Sequence, residues 1–456
     1  MLFALSVNLL IAQNWKEIKA GSEFSMGIKE DGTLWSWGFN GNGQLGRYTD
    51  GPYEVFPIQV GSDTDWKTVS AGGFHTLAIK TDGTLWGWGY NEFGQVIDSA
   101  DLSIISPVQI GSDTDWVFVE ACYASSFAIK RDGTLWAWGF NGNGQLGLND
   151  LDLRSQPAQV GTSAWKTVSA GGVTTMGIQE NNTLWRWGLN ITHSDTAGYD
   201  WENDMLPVQV GIDNDWSAVS LGMEFAIALK ENGSLWAYGD NSNKQLGYDT
   251  VYLNDFFQIA AEHTWKHIGA GSTFSFAITE NEKLYAWGNN LYGQLGLNTG
   301  MLILIPTLVP DMESEVKQIS ASKGMMYNNS VFGLHTLILK KDNTFCVAGA
   351  NYVGQLGIGN TSTNPTTEFI CNNPVGIAET HCNASLQLRV YPNPTTGQLK
   401  ITNYELRENT EYVIYSIVGQ VVLEGVLQNN TINVESLASG MYFLKVDGKT
   451  VRFVKE

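Results

Sequence analysis

The octapeptide Trp-Lys-Thr-Val-Ser-Ala-Gly-Gly begins at Trp66 and returns unchanged at Trp165, and weaker copies begin at Trp15, Trp116, Trp216, Trp265 and Val316. The intervals are 51, 50, 49, 51, 49 and 51 residues. A period this regular over seven copies means one supersecondary unit stacked on itself, because no single unit can bury its apolar face alone. The chain has 456 residues, with Gly 50 and Trp 17 but only 16% charged residues. That profile suits short strands and tight turns with aromatics between sheets, and few stretches carry the 3.6-residue apolar period of a helix. The fold class is all-β.

Each copy reads as four strands. A stretch beginning at Pro57, Pro107, Pro157 or Pro207 alternates in strand fashion, and proline at its first position loses no ladder hydrogen bond. A turn, often Gly-Ser-Asp-Thr-Asp, leads into the Trp-started strand, and a strand such as His75–Lys80 follows. The pairs Asp31-Gly32, Asp82-Gly83, Asp132-Gly133 and Asn232-Gly233 then predict two-residue type I′ hairpins, with Asn181-Asn182 a substitute and Asn281-Glu282 a poorer one. The fourth element, Thr-Leu-Trp-x-Trp-Gly, sets two aromatics at i and i+2 on one strand face, as at Trp35 and Trp37. In the seventh copy Cys346 and Ala348 stand there, leaving a gap for other side chains to fill. Seven four-stranded units predict a closed seven-bladed β-propeller. Because the first copy lacks a Pro-started strand, residues 364–370 are expected to supply it, closing the ring with one C-terminal and three N-terminal strands.

The recurring Thr-Leu-Trp-x-Trp-Gly and Asn-x-x-Gly-Gln-Leu-Gly elements resemble the regulator of chromosome condensation repeat, over about residues 14–372. Gly-Gln-Leu-Gly stands at Gly43, Gly144, Gly293 and Gly354, is altered at Gly94 and Lys244, and is absent from copy four. The same repeats serve nucleotide exchange, ubiquitin ligation and inhibition of secreted enzymes, so the resemblance implies a fold more than a function.

Residues 373–386 read as a linker. Beyond them Tyr391-Pro392-Asn393-Pro394, Gly397, Gly419, Gly440, Tyr442 and Phe453 to Lys455 resemble the C-terminal sorting domain of type IX secretion cargo, over residues 387–456. Several alternating strands there suit a small immunoglobulin-like β-sandwich. The resemblance implies handling by the type IX machinery, arrival at the cell surface or release, and a bacterium of the Bacteroidetes group. Residues 1–13, apolar and ending in Ile11-Ala12-Gln13, are expected to be a signal peptide. No other stretch reaches the length of a membrane span. On an exported chain, guanine-nucleotide exchange on a small GTPase is not expected.

A formal charge of −20 with no basic run argues against nucleic acid. Of the four cysteines, Cys371 and Cys382 flank the linker and are expected to form a disulfide in an oxidising compartment, while Cys122 and Cys346 stand in blades three and seven. The Asp63-Thr64-Asp65 pattern, repeated at Asp113 and Asp213, offers too few oxygens for calcium and reads as turn chemistry. His75 and His335 occupy a position that also holds Phe24, Ser125 and Phe225, which marks packing and not a ligand. His263 and His267 are four apart, which suits one face of a helix, but this stretch reads as strand and turn, so zinc is not expected there. No nucleophile elbow or phosphate loop appears, so no catalytic residue, metal or cofactor is assigned. Recognition of a protein or glycan by a monomer is expected, with a secreted polysaccharide hydrolase as the alternative. Candidate contacts lie where copies depart from consensus: His193, Tyr199 and Trp201 in copy four, and Met325, Met326 and Tyr327 in copy seven.

Overall fold

A computed structural model describes residues 14–194, 198–310, 312, 316–324, 326–327, 330–331, 334–372, 389–391, 395–402, 410–416, 420–427, 431–446 and 449–455. The chain divides into two compact units, 1–379 and 380–456. Among the described residues no helix is long and apolar enough to cross a membrane. The expected signal peptide, the linker and Cys382 lie outside the described residues.

In the first unit every copy folds as an antiparallel four-stranded blade in sequence order. Blade 1 is Trp15–Ala20, Phe24–Lys29, Leu34–Phe39 and Tyr53–Gln59. Blades 3 and 4 are joined by one continuous strand, Arg154–Ala170, whose first half is the outer strand of blade 3 and whose second half is the inner strand of blade 4. Seven blades make the expected propeller. The prolines sit deeper in the outer strand than expected: Pro57 falls where the register shifts between Ser36 and Gly38, an edge position that needs no N–H.

Two expectations are corrected. The ring is not closed by a shared strand, because Ser362–Asn372 pairs with Phe345–Asn351 of its own copy. A strand returning from a short turn finds the free edge it has just left before any other. Closure comes instead from packing of blade 7 on blade 1, where Ala20 N donates to Ser320 Oγ (2.9 Å) and Ile18 N to Gln318 Oε1 (3.1 Å). The same pairing overturns the Cys371–Cys382 disulfide: Cys371 lies opposite Cys346 with Cα atoms 4.0 Å apart, and those two are bonded.

The hairpins also differ from the expected type I′. Gly32, Asn182 and Glu282 have positive φ, but their preceding residues do not. Gly32 N donates to Lys29 O (2.9 Å) and Lys29 N to Thr33 O (3.0 Å), the pattern of a type I turn closed by a left-handed bulge residue. Asp31 Oδ1 then accepts from Thr33 N and Oγ1, and Thr33 Oγ1 accepts from Trp35 Nε1.

Neighbouring blades are latched by the Gly-Gln-Leu-Gly turn. The Gln44 carbonyl accepts from Thr76 Oγ1 and Trp88 Nε1 of blade 2, both at 3.0 Å, and Gln355 closes the ring likewise on Ser25 and Trp37. The final glycine makes room: a Cβ on Gly46 would lie 2.8 Å from Trp88 Nε1. Copy two has Ile97 in that place, and the Trp138 indole it faces is left without a partner. In blade 7, Phe369 packs into the gap left by Ala348, over Gly296.

The second unit holds two sheets, one of Arg389–Tyr391, Gln398–Thr402 and Thr431–Asn433, the other of Glu411–Ser416, Val421–Val426, Gly440–Val446 and Lys449–Lys455. Leu399, Ile401 and Ile432 of the first pack with Ile414, Leu444 and Phe453 of the second, which makes a small sandwich.

Candidate functional site: one face of the propeller

In an antiparallel blade, the connection between strands one and two and that between strands three and four leave by the same end. Phe39 N donating to Glu23 O (2.9 Å) shows these two connections meeting in blade 1, and Leu189 N does the same to Val173 O in blade 4. Both departures from the repeat therefore fall on one face. In copy four, residues 191–194 and 198–205 are not an irregular loop but extend two strands, Leu184–Ser194 and Gly198–Gln209. His193 is paired with Tyr199 and Ile191 with Trp201 along its ladder. In copy seven the insertion forms a two-stranded turn in which Met326 opposes Val331 and Tyr327 opposes Ser330. Met325 lies outside the described residues.

The innermost strands line the axis. Four are stitched by serine: Ser70, Ser169, Ser220 and Ser320 each accept from a backbone N–H of the next blade. Blade 3 carries Glu120 at this position, and Lys323, from the start of the copy-seven insertion, reaches across to pair with it. Lys323 Nζ also donates to Ser169 Oγ (3.3 Å) and Ala170 O (3.4 Å). Burial is the largest single influence and opposes its charge, but Glu120 and Cys122 act together the other way and the net direction is upward. Lys323 is common to the walls of two spaces. One, of about 300 Å³, opens among the strand-one to strand-two turns and is lined by Tyr123, Gly171, Gly172, Met223 and Glu224. The other, of about 280 Å³, lies among Thr167, Ser220, Lys266 and His267 of the inner strands. Burial raises the Glu224 carboxyl, aided by Asp240, and raises Glu23 on the same turn of blade 1. Cys122 Sγ faces the carbonyls of Ala170 and Gly171, and burial pushes its thiol up to about 12, so it is a poor nucleophile at neutral pH. Sequence reading missed Lys323 and Glu120. The signal was present, since Glu120 is the acidic residue at a serine position.

Where blade 4 lacks its Gly-Gln-Leu-Gly latch, blade 5 has changed to match. Ala226 stands where other blades place a serine or threonine, and Tyr238 replaces the tryptophan, so both donors to the lost carbonyl are gone. The Tyr238 hydroxyl bonds Asn190 Oδ1 and Arg186 Nη1 instead, and Arg186 pairs with Asp204 at 3.0 Å.

His75 and His335 are fully buried between blades, each Nε2 sharing a hydrogen bond with a serine of the next blade, Ser126 or Ser25. The Asp-x-Asp turns hold lysine: Lys80 Nζ lies 2.6 Å from Asp63 and 3.1 Å from Asp65, and Lys130 and Lys230 repeat the arrangement.

In the second unit Tyr391 ends its strand, while Pro392, Asn393 and Pro394 lie outside the described residues. Gly440 is paired with Lys455, and buried Tyr442 stacks on Phe453 and donates to Ala438 O.

The architecture defines a seven-bladed propeller followed by a sandwich, with a decorated face around an axial opening. The family comparisons agree. Residues 389–456 match the secretion system C-terminal sorting domain, and residues 15–44, 66–95 and 265–294 match one regulator of chromosome condensation (RCC1) repeat model. A second model of that repeat matches 31–79, 132–178 and 281–325. The chain is thus a propeller of regulator of chromosome condensation repeats bearing a sorting tail, which marks it for export by type IX secretion to the cell surface or extracellular space.

Similar proteins include the RCC1 domain-containing protein RUG3, mitochondrial, of Arabidopsis thaliana, 32% identical over 18% of this chain and 19% of that protein. The ultraviolet-B receptor UVR8 of the same plant is 37% identical over 18% and 19%, and the probable human E3 ubiquitin-protein ligase HERC6 is 35% identical over 18% and 8%. The match thus spans a fifth or less of these relatives. Among solved structures, yeast RCC1 (Prp20) bound to Kap60 aligns with a TM-score of 0.64 at 16% identity, over 83% of this chain and 86% of that one. Human WBSCR16 aligns at 0.61 and 19%, over 68% and 85%. These likenesses concern the fold.

Proposed function

We propose that the propeller is a recognition module, working at the cell surface or beyond it, that binds a protein or glycan through the face bearing the copy-four hairpin and the copy-seven turn. The observation that carries this reading is that both departures from an otherwise regular repeat leave the molecule by the same end, beside the axial opening. The six other connections between third and fourth strands carry a turn whose glutamine carbonyl latches neighbouring blades, whereas copy four spends the same stretch on a hairpin that makes no such latch. Ordering a long hairpin costs conformational entropy without adding to the core, so it persists for another reason. The ligase activity named for HERC6 and the photoreception named for UVR8 are not carried over, since only repeats align. The hydrolytic alternative has no comparable support.

The test compares full-length exported protein with its Trp201→Ala and Tyr327→Ala variants on glycan arrays and on immobilised surface extract. An anchor residue weakens binding by about 1 kcal/mol or more, roughly fivefold in Kd, with little change in melting temperature. Unchanged binding by both folded variants removes this face from consideration.

A further inference from the structure

The face that carries the hairpin also carries a run of aromatic rings on blades 2 and 3. By ring centroids, Phe74 lies 6.5 Å from Tyr90, Tyr90 6.1 Å from Phe93, and Phe93 5.1 Å from Phe140 of the next blade. Tyr90 N donates to Phe74 O (2.8 Å) and Phe140 N to Ala124 O (2.9 Å), the same meeting of connections that places the hairpin. All four rings are half-buried, and among the described residues they pack on one another rather than within the apolar clusters between blades. Aromatic surface that serves no core has another use.

Comparison of the copies shows which of these residues the fold does not require. Phe39 and Phe140 each fold back over a glycine, where a Cβ on Gly41 or Gly142 would run into the ring. Copy two has Glu92 at that position, and Tyr90 instead donates its hydroxyl to the Glu92 carboxylate. The next position is Asn42, Asn143 and Asn243 in copies one, three and five but Phe93 in copy two. The turn uses only backbone there: Phe93 N donates to Gln95 Oε1 (3.0 Å), as Asn42 N does to Gln44 and Asn143 N to Gln145, both at 2.9 Å. Glu92 and Phe93 are additions to a turn that closes without them.

Charge decides what such a strip can hold. Residues 91–102 and 141–153, the two connections beside the rings, contain Glu92, Asp98, Asp101, Asp150 and Asp152 and neither lysine nor arginine. Arg154, which follows, is held by Asp150 at 2.5 Å. Glu92 is exposed, and no cation among the described residues pairs with it. Aromatic faces carry negative potential, and a carboxylate at their edge adds to it. A guanidinium uses both features, stacking on a ring while offering two parallel donors to a carboxylate. A neutral sugar would use the rings but not the charge.

We propose that the Tyr90–Phe93–Phe140 strip, with Glu92 at its edge, docks an arginine of a basic segment of a partner polypeptide. The proposal rests on the recognition reading above only for the choice of face. Its residues lie on blades 2 and 3 and the hairpin on blade 4, so either can fail alone.

The experiment titrates full-length exported protein into labelled probes and reads fluorescence anisotropy. The probes are the peptide Gly-Arg-Gly-Arg-Gly-Arg-Gly, the same peptide with citrulline for arginine, and chitohexaose. The arginine peptide is expected to bind more tightly than the citrulline peptide, with affinity falling as salt rises. Phe93→Asn changes no charge, so diffuse attraction to an acidic chain survives it. It is expected to weaken the arginine peptide about fivefold without moving the melting temperature. Glu92→Gly, which installs the residue of copies one and three, is expected to weaken it as well. Trp201→Ala is expected to leave it unchanged, which separates the strip from the hairpin. Equal affinity for the arginine and citrulline peptides overturns the proposal, as does unchanged binding in Phe93→Asn and Glu92→Gly. Loss of the peptide in Trp201→Ala alone assigns it to the hairpin, and chitohexaose binding that needs Phe93 while the arginine peptide fails to bind assigns the strip to glycan; both overturn it too.

Discussion

The Tyr238 hydroxyl and Asn190 Oδ1 lie 3.1 Å apart across the junction of blades 4 and 5, the one junction among the described residues that no glutamine carbonyl latches. Forty-eight residues separate them, yet each is intelligible only through the other. Tyr238→Phe removes the hydroxyl that joins Asn190 to Arg186. It is expected to cost about 1–2 kcal/mol, measured by denaturant unfolding. The effect should shrink when Asn190→Ala is already present, since both changes break the same bond.

Buried histidines make the propeller acid-sensitive. Burial pushes His75 and His335 down to about 3, below the ordinary 6.5. The unfolded chain therefore binds more protons between those values. The contribution is fully present above pH 6.5 and is lost as pH falls toward 3, at about 1.4 kcal/mol per pH unit for each histidine. Melting temperature should drop steeply from pH 6.5 to 4. A His75→Phe/His335→Phe variant, using the residue that copies one, five and six carry, should flatten that slope.

Cys346 and Cys371 replace the cross-strand pair that blade 1 makes with Trp35 and Gln59. Peptide mapping without reductant should recover this linkage. Cys371→Ser should lower stability by about 3 kcal/mol, as expected for a closed loop of this size. Recovery of both cysteines as free thiols contradicts it.

The latch demands glycine at its last position. Gly46 has φ +72 and stands against the Trp88 indole, whereas Gly61 has φ +62 with nothing within 4 Å of its Cβ position. Gly46→Ala should destabilise by about 1–3 kcal/mol more than Gly61→Ala in parallel melts, because only the first adds a clash to backbone strain.

Deleting residues 387–456 should leave the propeller folded but retained in the periplasm. Fractionation with circular dichroism checks both halves of this statement. Normal surface amounts of the truncated protein contradict the sorting role.

Sequence by itself determined the number of blades, the four strands in each and the presence of a different architecture in the C-terminal region. Those features are periodic, and a repetition of Trp, Gly and Gln at fixed offsets in most of the seven copies survives the drift of any one copy. Tertiary structure alone decided which edge the last strand takes, and with it the partner of Cys371, because both depend on competition between neighbours that local pattern does not rank. It alone brought Lys323 to Glu120 across the axis and put the two departures on one face, since a ring sets side by side residues that the chain holds two hundred positions apart.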